Sequence, residues 1–328
     1  MLHLVSLSQF AALTRDMEWV APTQTAAWTN AFLPQGEARY VVDDLNKPTM
    51  ACVGQLHRKW GVSMLLVAGE CLAHTHDLSS EQVHRFYEDL LQLVPADLYY
   101  VNSDSLYSPL YEVGMRQAGF LRPVGMFSTT LSKLIATDQE LTPDKSWRRN
   151  LKKAEEHRLT FSVVSQPSAH DVEQYLQLHH GVEQRKHFSD SATANQLTCL
   201  LADPMYRLAW VDSAEGEHLS GGVFYCRHQG SPYARFIYSA TSLKGREVGS
   251  AYWLRKQVTD YLATVGIPVL DTGRITPAKH AKNGLFLFKN GMGGETVSYN
   301  GEWLWTRRPW LAPAFYLANR FIFKRVRV

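Results

Sequence analysis

Ile267-Pro-Val-Leu-Asp271-Thr-Gly273-Arg274, followed by Asn283-Gly-Leu-Phe-Leu-Phe288-Lys289-Asn-Gly291-Met292 and Thr296-Val-Ser-Tyr299, is the stretch that decides the architecture. The first piece has the apolar run of a short strand, the second the spacing of a helix that stops at glycine, and the third a further strand. The same succession occurs once earlier, as Leu98-Tyr-Tyr-Val-Asn102, residues 111–120 closing on Gly119-Phe120, and residues 125–134. A longer helix precedes each short strand. One starts after Ser79, where Ser79-x-x-Gln82 has capping-box spacing and Val83, Phe86, Tyr87, Leu90 and Leu91 mark the buried face; the other spans about 248–265. A repeated unit of this kind predicts an α/β (α+β) protein of two similar lobes, each a mixed sheet with helices packed on it.

Outward from the repeat, residues 37–43, 49–56 and 62–68 read as strands of the first lobe. The polar segment 136–146, with Pro143, reads as a linker, giving lobes at 1–136 and 146–328. The second lobe opens with a basic helix (146–157) and a strand (159–164), then a helix capped by Ser168-x-x-Asp171 that runs to about Arg185. Strands follow at 206–211, 221–227 and 233–239; two closing strands, 296–299 and 303–306, precede a final amphipathic helix.

The length of 328 residues suits two domains, and 45% hydrophobic with 20% charged residues is a globular composition that excludes disordered and fibrous classes. The longest apolar runs, 63–69 and 311–317, fall short of the ~20 residues that cross a bilayer. The opening MLHLVSLSQF lacks the basic region and apolar block of a secretory signal, so a cytoplasmic protein is expected. Cys52, Cys71, Cys199 and Cys226 are widely spaced with no C-x-x-C pair, as expected of reduced, mostly buried thiols. His74-Thr-His76-Asp77 has too few ligands for a metal site, and none is expected.

Charge divides the chain. Residues 1–140 hold 9 Lys/Arg against 15 Asp/Glu, and the remainder 25 against 16. The excess lies in Lys145-Ser-Trp-Arg148-Arg149-Asn-Leu-Lys152-Lys153 and in a tail carrying Arg307, Arg308, Arg320, Lys324, Arg325 and Arg327 with no acid. Such a half suits a polyanionic partner: nucleic acid, a phosphorylated donor or an anionic membrane. Trp303, Trp305, Trp310, Phe315, Tyr316, Phe321 and Phe323 interleave with the basic tail as in an interfacial helix, which points to peripheral contact at the inner membrane face. The other reading of that helix is one packed on the second lobe.

After the strand ending near Ala240 come Arg246-Glu-Val-Gly249-Ser-Ala251 and a long helix, an arrangement that offers backbone N–H groups and a helix dipole to phosphate. Its spacing matches the Arg/Gln-x-x-Gly-x-Gly/Ala loop with which GNAT acetyltransferases hold coenzyme A, making Arg246, Gly249 and Ala251 candidate donor ligands. Larger stretches resemble the Fem-type (FemABX) peptidyltransferases of the GNAT superfamily. These are Pro22-Thr-Gln24-Thr-Ala-Ala-Trp28, the basic helix from Ser146 with Arg148 and Arg149, and Asp271-Thr-Gly273-Arg274 with the Gly284-Leu-x-x-Phe288-Lys289 helix and its Gly291-Met-Gly293-Gly-Glu295 turn.

The resemblance implies tandem GNAT-like lobes and an acyl or aminoacyl transferase that forms an amide on an amine-bearing precursor, of the peptidoglycan or a lipid-linked type. The donor it implies is aminoacyl-tRNA or an acyl-coenzyme A, with no tightly bound cofactor. Lys289 occupies the family's motif lysine, placed to stabilise the oxyanion of aminolysis. Asp271 either takes the proton of the acceptor amine or caps a turn. Arg274 is a candidate anion ligand, and Arg185 and Tyr238 are candidate substrate contacts. Absence of a serine or cysteine relay favours direct attack. A non-catalytic GNAT-like binding module at the membrane face is the alternative.

Overall fold

Val62–Ala68 and Leu98–Leu106, read as strands with a helix between them, run parallel in the computed structural model, which describes residues 1–33, 37–59, 61–74, 77–123, 130–186, 192–227, 231–275 and 284–317. They belong to the first of two units, Met1–Leu131 with Val297–Val328; the second is Ser132–Thr296.

In the first unit β1 (His3–Val5), α1 (Leu7–Thr14), β2 (Trp19–Val20) and α2 (Ala26–Phe32) precede β3 (Ala38–Val42), β4 (Met50–Lys59), β5 (Val62–Ala68) and β6 (Cys71–Leu72). Then come α3 (Ser80–Leu93), β7 (Leu98–Leu106) and α4 (Pro109–Gln117). The sheet order is β1-β3-β4-β5-β7, and β7 pairs antiparallel with β14 (Glu295–Thr306) from the far end of the chain. Helix α3 starts where its capping box predicts, Ser79 Oγ accepting from Gln82 N at 3.2 Å while Gln82 Oε1 accepts from Ser79 N at 2.9 Å. Its Val83, Phe86, Tyr87 and Leu90 are buried as expected. The Tyr87 and Tyr111 hydroxyls bond at 2.7 Å, and Phe120 meets the Tyr87 ring edge-on at 5.5 Å.

One carboxyl is buried where β5 ends. Glu70, 1% exposed, accepts from Ser103 Oγ at 2.5 Å, and burial followed by the nearby Asp104 charge pushes it up to about 7. The segment 21–24 lies along this end of β5: Ala21 N donates to Glu70 O at 3.2 Å, and Thr23 Oγ to Ala68 O. Gln24 donates to Ala68 O at 2.8 Å and accepts from Val53 N at 2.5 Å.

The second unit contains β8 (Leu131–Ala136), α5 (Lys145–Glu155), β9 (Thr160–Val164), α6 (Ala169–Lys186), α7 (Ala194–Leu201), β10 (Tyr206–Asp212), β11 (His218–Tyr225) and β12 (Ala234–Thr241). It continues with α8 (Leu243–Val248), α9 (Ser250–Thr264), β13 (Val269–Arg274) and α10 (Gly284–Gly291). The sheet order is β8-β13-β12-β11-β10-β9, and only β12 and β13 are parallel. The two units therefore repeat one plan: an antiparallel run, a single parallel pair across a long helix, and a last antiparallel strand. The last strands are exchanged. The strand after α4, β8, completes the second sheet, while most of the strand after α10, β14, completes the first.

The structure departs from the sequence reading in four places. The helix expected over 248–265 stands as α9, but the loop expected before it is the short helix α8, which Gly249 ends at φ +76° as α9 begins. The two closing strands are one, β14, with a register shift between Tyr299 and Gly301 where Gly301 takes φ +70°. Residues 297–328 group with the first unit, whereas the sequence reading gave them to the second lobe.

The aromatic tail, finally, is not one helix. Trp303 is buried in β14 with the Arg122 guanidinium 4.2 Å above its ring, and Trp305 meets Tyr99 edge-on at 5.4 Å. Helix α11 (Leu311–Leu317) packs Phe315 and Tyr316 with Tyr100, Leu98 and Leu304 of the first unit, and Phe321, Phe323 and the tail cations after Arg308 lie outside the described residues. No helix among the described residues is long and apolar enough to cross a membrane.

Candidate active site

The parallel pair of the second unit is short. β12 and β13 match only at Ala234↔Leu270 and Arg235↔Asp271. Asp271 is fully buried there: Oδ1 accepts from Ser132 Oγ at 2.6 Å and Gly273 N at 2.8 Å, and Oδ2 from Arg235 Nε at 2.6 Å. Both oxygens are engaged, so the carboxylate caps the turn at Gly273 and neutralises Arg235.

Lys289 reaches the same place from α10. Trp147 of α5, buried, donates its indole N–H to Phe288 O at 3.1 Å, and Tyr252 of α9 meets the Phe288 ring edge-on at 5.0 Å. With Phe288 clamped, the next side chain turns inward, and its ammonium donates to Arg274 O at 3.0 Å. Gly273, at φ +78°, makes the room: a Cβ there would stand 3.3 Å from Lys289 Nζ.

A side chain unforeseen in the sequence completes the cluster. Arg255 of α9 is 4% exposed, with its guanidinium carbon 3.4 Å from the centre of the Phe236 ring and 5.9 Å from that of Phe288. Its Nη1 is buried and has no hydrogen-bond partner among the described residues, as is true of the Tyr175 hydroxyl from α6. Burial lowers Arg255 to about 9, while Tyr175 and Asp271 oppose the shift. Lys289 is lowered to about 8, by burial first, then the Arg255 charge and, more weakly, Arg235, against the pull of Asp271. Among the described residues, three buried or half-buried cations thus gather about the Asp271 carboxylate. The signal for Arg255 was present: it lies with Leu254, Val258, Thr259 and Leu262 on the buried stripe of α9, where a cation is out of place.

The other expected residues are dispersed. Arg274 enters the cluster through its backbone carbonyl. Tyr238 is on β12, its ring 6.3 Å from His179. Arg185 donates to Thr241 O at 2.7 Å, so it ties α6 to the end of β12. Arg246 is exposed on α8, and a Cβ at Gly249 would stand 2.5 Å from Asn150 O, so the glycine there admits the carbonyl of α5. Ala251 follows in the first turn of α9. Arg148 and Arg149 stand exposed on α5 with Lys145, Lys152 and Lys153, on the face opposite buried Trp147 and Ala154, and no ion pair engages them among the described residues. His74 lies 3.8 Å from Glu18, and His76 is outside the described residues.

No protein-family model matches the chain, and no curated protein sequence does. Solved structures do. FemX superimposes with a TM-score of 0.79 at 12% identity, over 96% of this chain and 100% of that one. L-PGS from Bacillus licheniformis gives 0.61 at 15% identity, over 98% and 97%. A tandem GNAT protein from the clavulanic acid biosynthesis pathway gives 0.51 at 12%, over 94% and 99%. At these identities the likeness is one of fold: the chain is folded as FemX is, a tandem of GNAT-like units.

Proposed function

We propose that the chain is an N-acyltransferase that joins an acyl or aminoacyl group to an amine, with its reacting centre at Lys289 in the second unit. The observation that carries this reading is the Lys289–Arg255–Arg235 cluster around Asp271. Aminolysis of an ester or thioester passes through an oxyanion, and a buried centre with surplus positive charge lowers that barrier most effectively where water is excluded. Asp271 then serves as counter-ion and turn cap, holding Arg235 and Gly273. Ser132, the serine of the cluster, is fully buried with its hydroxyl donated to the Asp271 carboxylate, which favours direct attack by the amine on the donor over a serine relay.

Between the two donors, aminoacyl-tRNA is the better supported. The exposed cations of α5, which begins four residues after Leu141 and carries Trp147 into the site, suit a polyphosphate backbone. The Arg246–Ala251 loop, filled at Gly249 by Asn150, gives acyl-coenzyme A less support. The fold of FemX and L-PGS is consistent with an acceptor amine on a cell-wall or lipid-linked precursor.

Single-turnover transfer to an amine acceptor tests the reading, with aminoacyl-tRNA and acyl-coenzyme A offered separately. Transfer that is abolished in Lys289→Met supports it; full activity in that variant overturns the assignment of Lys289.

A further inference from the structure

Arg255 stands out among the charged groups of the second unit. A guanidinium is rarely buried without saturating its donors, because each unpaired N–H forfeits its hydration. Here Phe236 supports the guanidinium from one side, Phe288 approaches it, and Nη1 is left open at 4% exposure of the residue. Asp271, the carboxylate whose charge acts on it, is already committed to Arg235, Ser132 and Gly273. From α6 it is faced by Tyr175, whose hydroxyl is held neutral by burial and which is itself close to Tyr238. No anion belonging to the described chain satisfies this edge. Lys289 feels Arg255 as a fixed positive neighbour, with Asp271 and Arg235 the other charged groups acting on it.

Resting on the transferase reading above, we infer that Arg255 is a second anion-binding side chain of this centre: its open Nη1 edge receives the acyl oxygen as negative charge develops there, leaving Lys289 to carry the proton. Arg255, lowered to about 9, keeps its charge where Lys289, lowered to about 8, already exchanges its proton near neutrality. The step balances without a further reactant. Neutral Lys289 takes one proton from the acceptor ammonium. The freed amine attacks the donor carbonyl, forming a C–N bond as the carbonyl π pair moves onto oxygen beside Arg255. Collapse of the tetrahedral intermediate breaks the bond to the leaving ribose oxygen or coenzyme A sulfur. The lysinium formed in the first step protonates that leaving atom, and the neutral Lys289 so regenerated takes the nitrogen's surplus proton and returns it to solvent.

Lysine labelled with carbon-13, its Lys289 signal assigned by loss in Lys289→Met, gives the proton affinity of this residue directly by NMR titration, independent of any donor. The expected result is a midpoint near 8 in the wild type, raised by one pH unit or more in Arg255→Met and kept within half a unit in Arg255→Lys. A midpoint in the ordinary lysine range in the wild type, or one that Arg255→Met leaves unmoved, overturns the inference. In the transfer assay the rate rises with pH through the Lys289 midpoint, and Arg255→Met lowers kcat by roughly 10²–10³ and shifts that limb upward. Arg255→Lys keeps the limb in place but loses roughly 10² in kcat, since the planar donor edge is gone. Should Arg255→Met fail to fold, Arg255→Lys decides: an unchanged kcat overturns the role in binding oxygen. Absence of transfer from either donor overturns the parent reading instead, and the titration still reports the coupling.

Discussion

The two units follow one strand plan but bury opposite charge at its centre. In the second, three cations gather round Asp271 where β12 and β13 part, and the proton affinity of Lys289 is lowered to about 8. In the first, the carboxyl of Glu70 is buried beside Asp104 and the hydroxyls of Ser103 and Ser105, near the end of the β5–β7 pair, and is raised to about 7. The backbone there is taken up by the chain itself, with Ala21, Thr23 and Gln24 bonded along β5. The second unit leaves a guanidinium edge open. One copy of the plan has been closed with its own polypeptide, and the other leaves Arg255 Nη1 without a partner among the described residues. A duplicated fold keeps its strand order, not its chemistry.

The contrast is most easily broken at Lys289. Lys289→Met is expected to reduce single-turnover transfer by roughly 10²–10³ while making the fold more stable at pH 7, by roughly 1–3 kcal/mol. The folded state binds this proton less tightly than the unfolded one, so the strain is present below pH 8 and relieved as pH rises from 8 towards 10.5. Chemical denaturation of wild type and variant at pH 7 and 10 checks the sign. A variant destabilised at pH 7 would show that the cations are compensated.

Glu70→Gln is the mirror experiment. The folded state holds this proton more tightly than the unfolded chain does, so stability present below pH 4.5 is lost as pH rises through 7. The variant is expected to gain up to roughly 3 kcal/mol over the wild type at pH 8, gain nothing at pH 4, and leave transfer intact. Urea midpoints at the two pH values measure it; equal shifts at both would remove the buried acid from the comparison.

Gln24→Ala sharpens the notion that the first unit is closed by its own chain. Losing the side chain leaves the buried Val53 N–H without this acceptor and removes one of the two donors to Ala68 O, for an expected destabilisation of roughly 1–3 kcal/mol with unchanged kcat. The smallest effect is expected for Arg149→Ala, which should alter stability by less than ~0.5 kcal/mol. With an aminoacyl-tRNA donor it should weaken binding and reduce its salt dependence by about one ion. An unchanged salt slope, read by filter binding across a salt series, would take α5 out of the donor site.

Much of this was legible in the sequence, for reasons that can be named. Capping residues and apolar periodicity are local, so Ser79-x-x-Gln82, the strands around Leu98 and Val269, and the Phe288-Lys289 helix stand where their neighbours put them. The repeat itself was visible because both copies share that local grammar. What local signals do not encode is partnership. Strands are legible over 125–134 and at 296–299 and 303–306, where the structure has β8 and the single β14, yet which sheet each completes depends on contacts with residues far away in the chain. The need for glycine at 249 reflects the carbonyl of Asn150, ninety-nine positions back. Arg255 was overlooked because a long cation on a helix is ordinarily a surface feature; only its place on the apolar stripe of α9 gave it away. Trp303 and Trp305 were grouped with the tail by composition, although their alternation is that of a strand.

The exchanged strands set a timetable for synthesis. β7 ends at Leu106, but its partner strand closes at Thr306. At ~5–20 residues per second, a ribosome needs roughly ten to forty seconds to travel between them, during which that flank of β7 has no mate. The nascent first half therefore waits with an open edge, the condition under which chaperones bind and neighbouring chains pair by mistake. Neither half is expected to mature from a gene cut in the linker, whereas a circular permutant that begins near residue 297 would bring β14 out first, so that β7 finds its partner already made as it emerges.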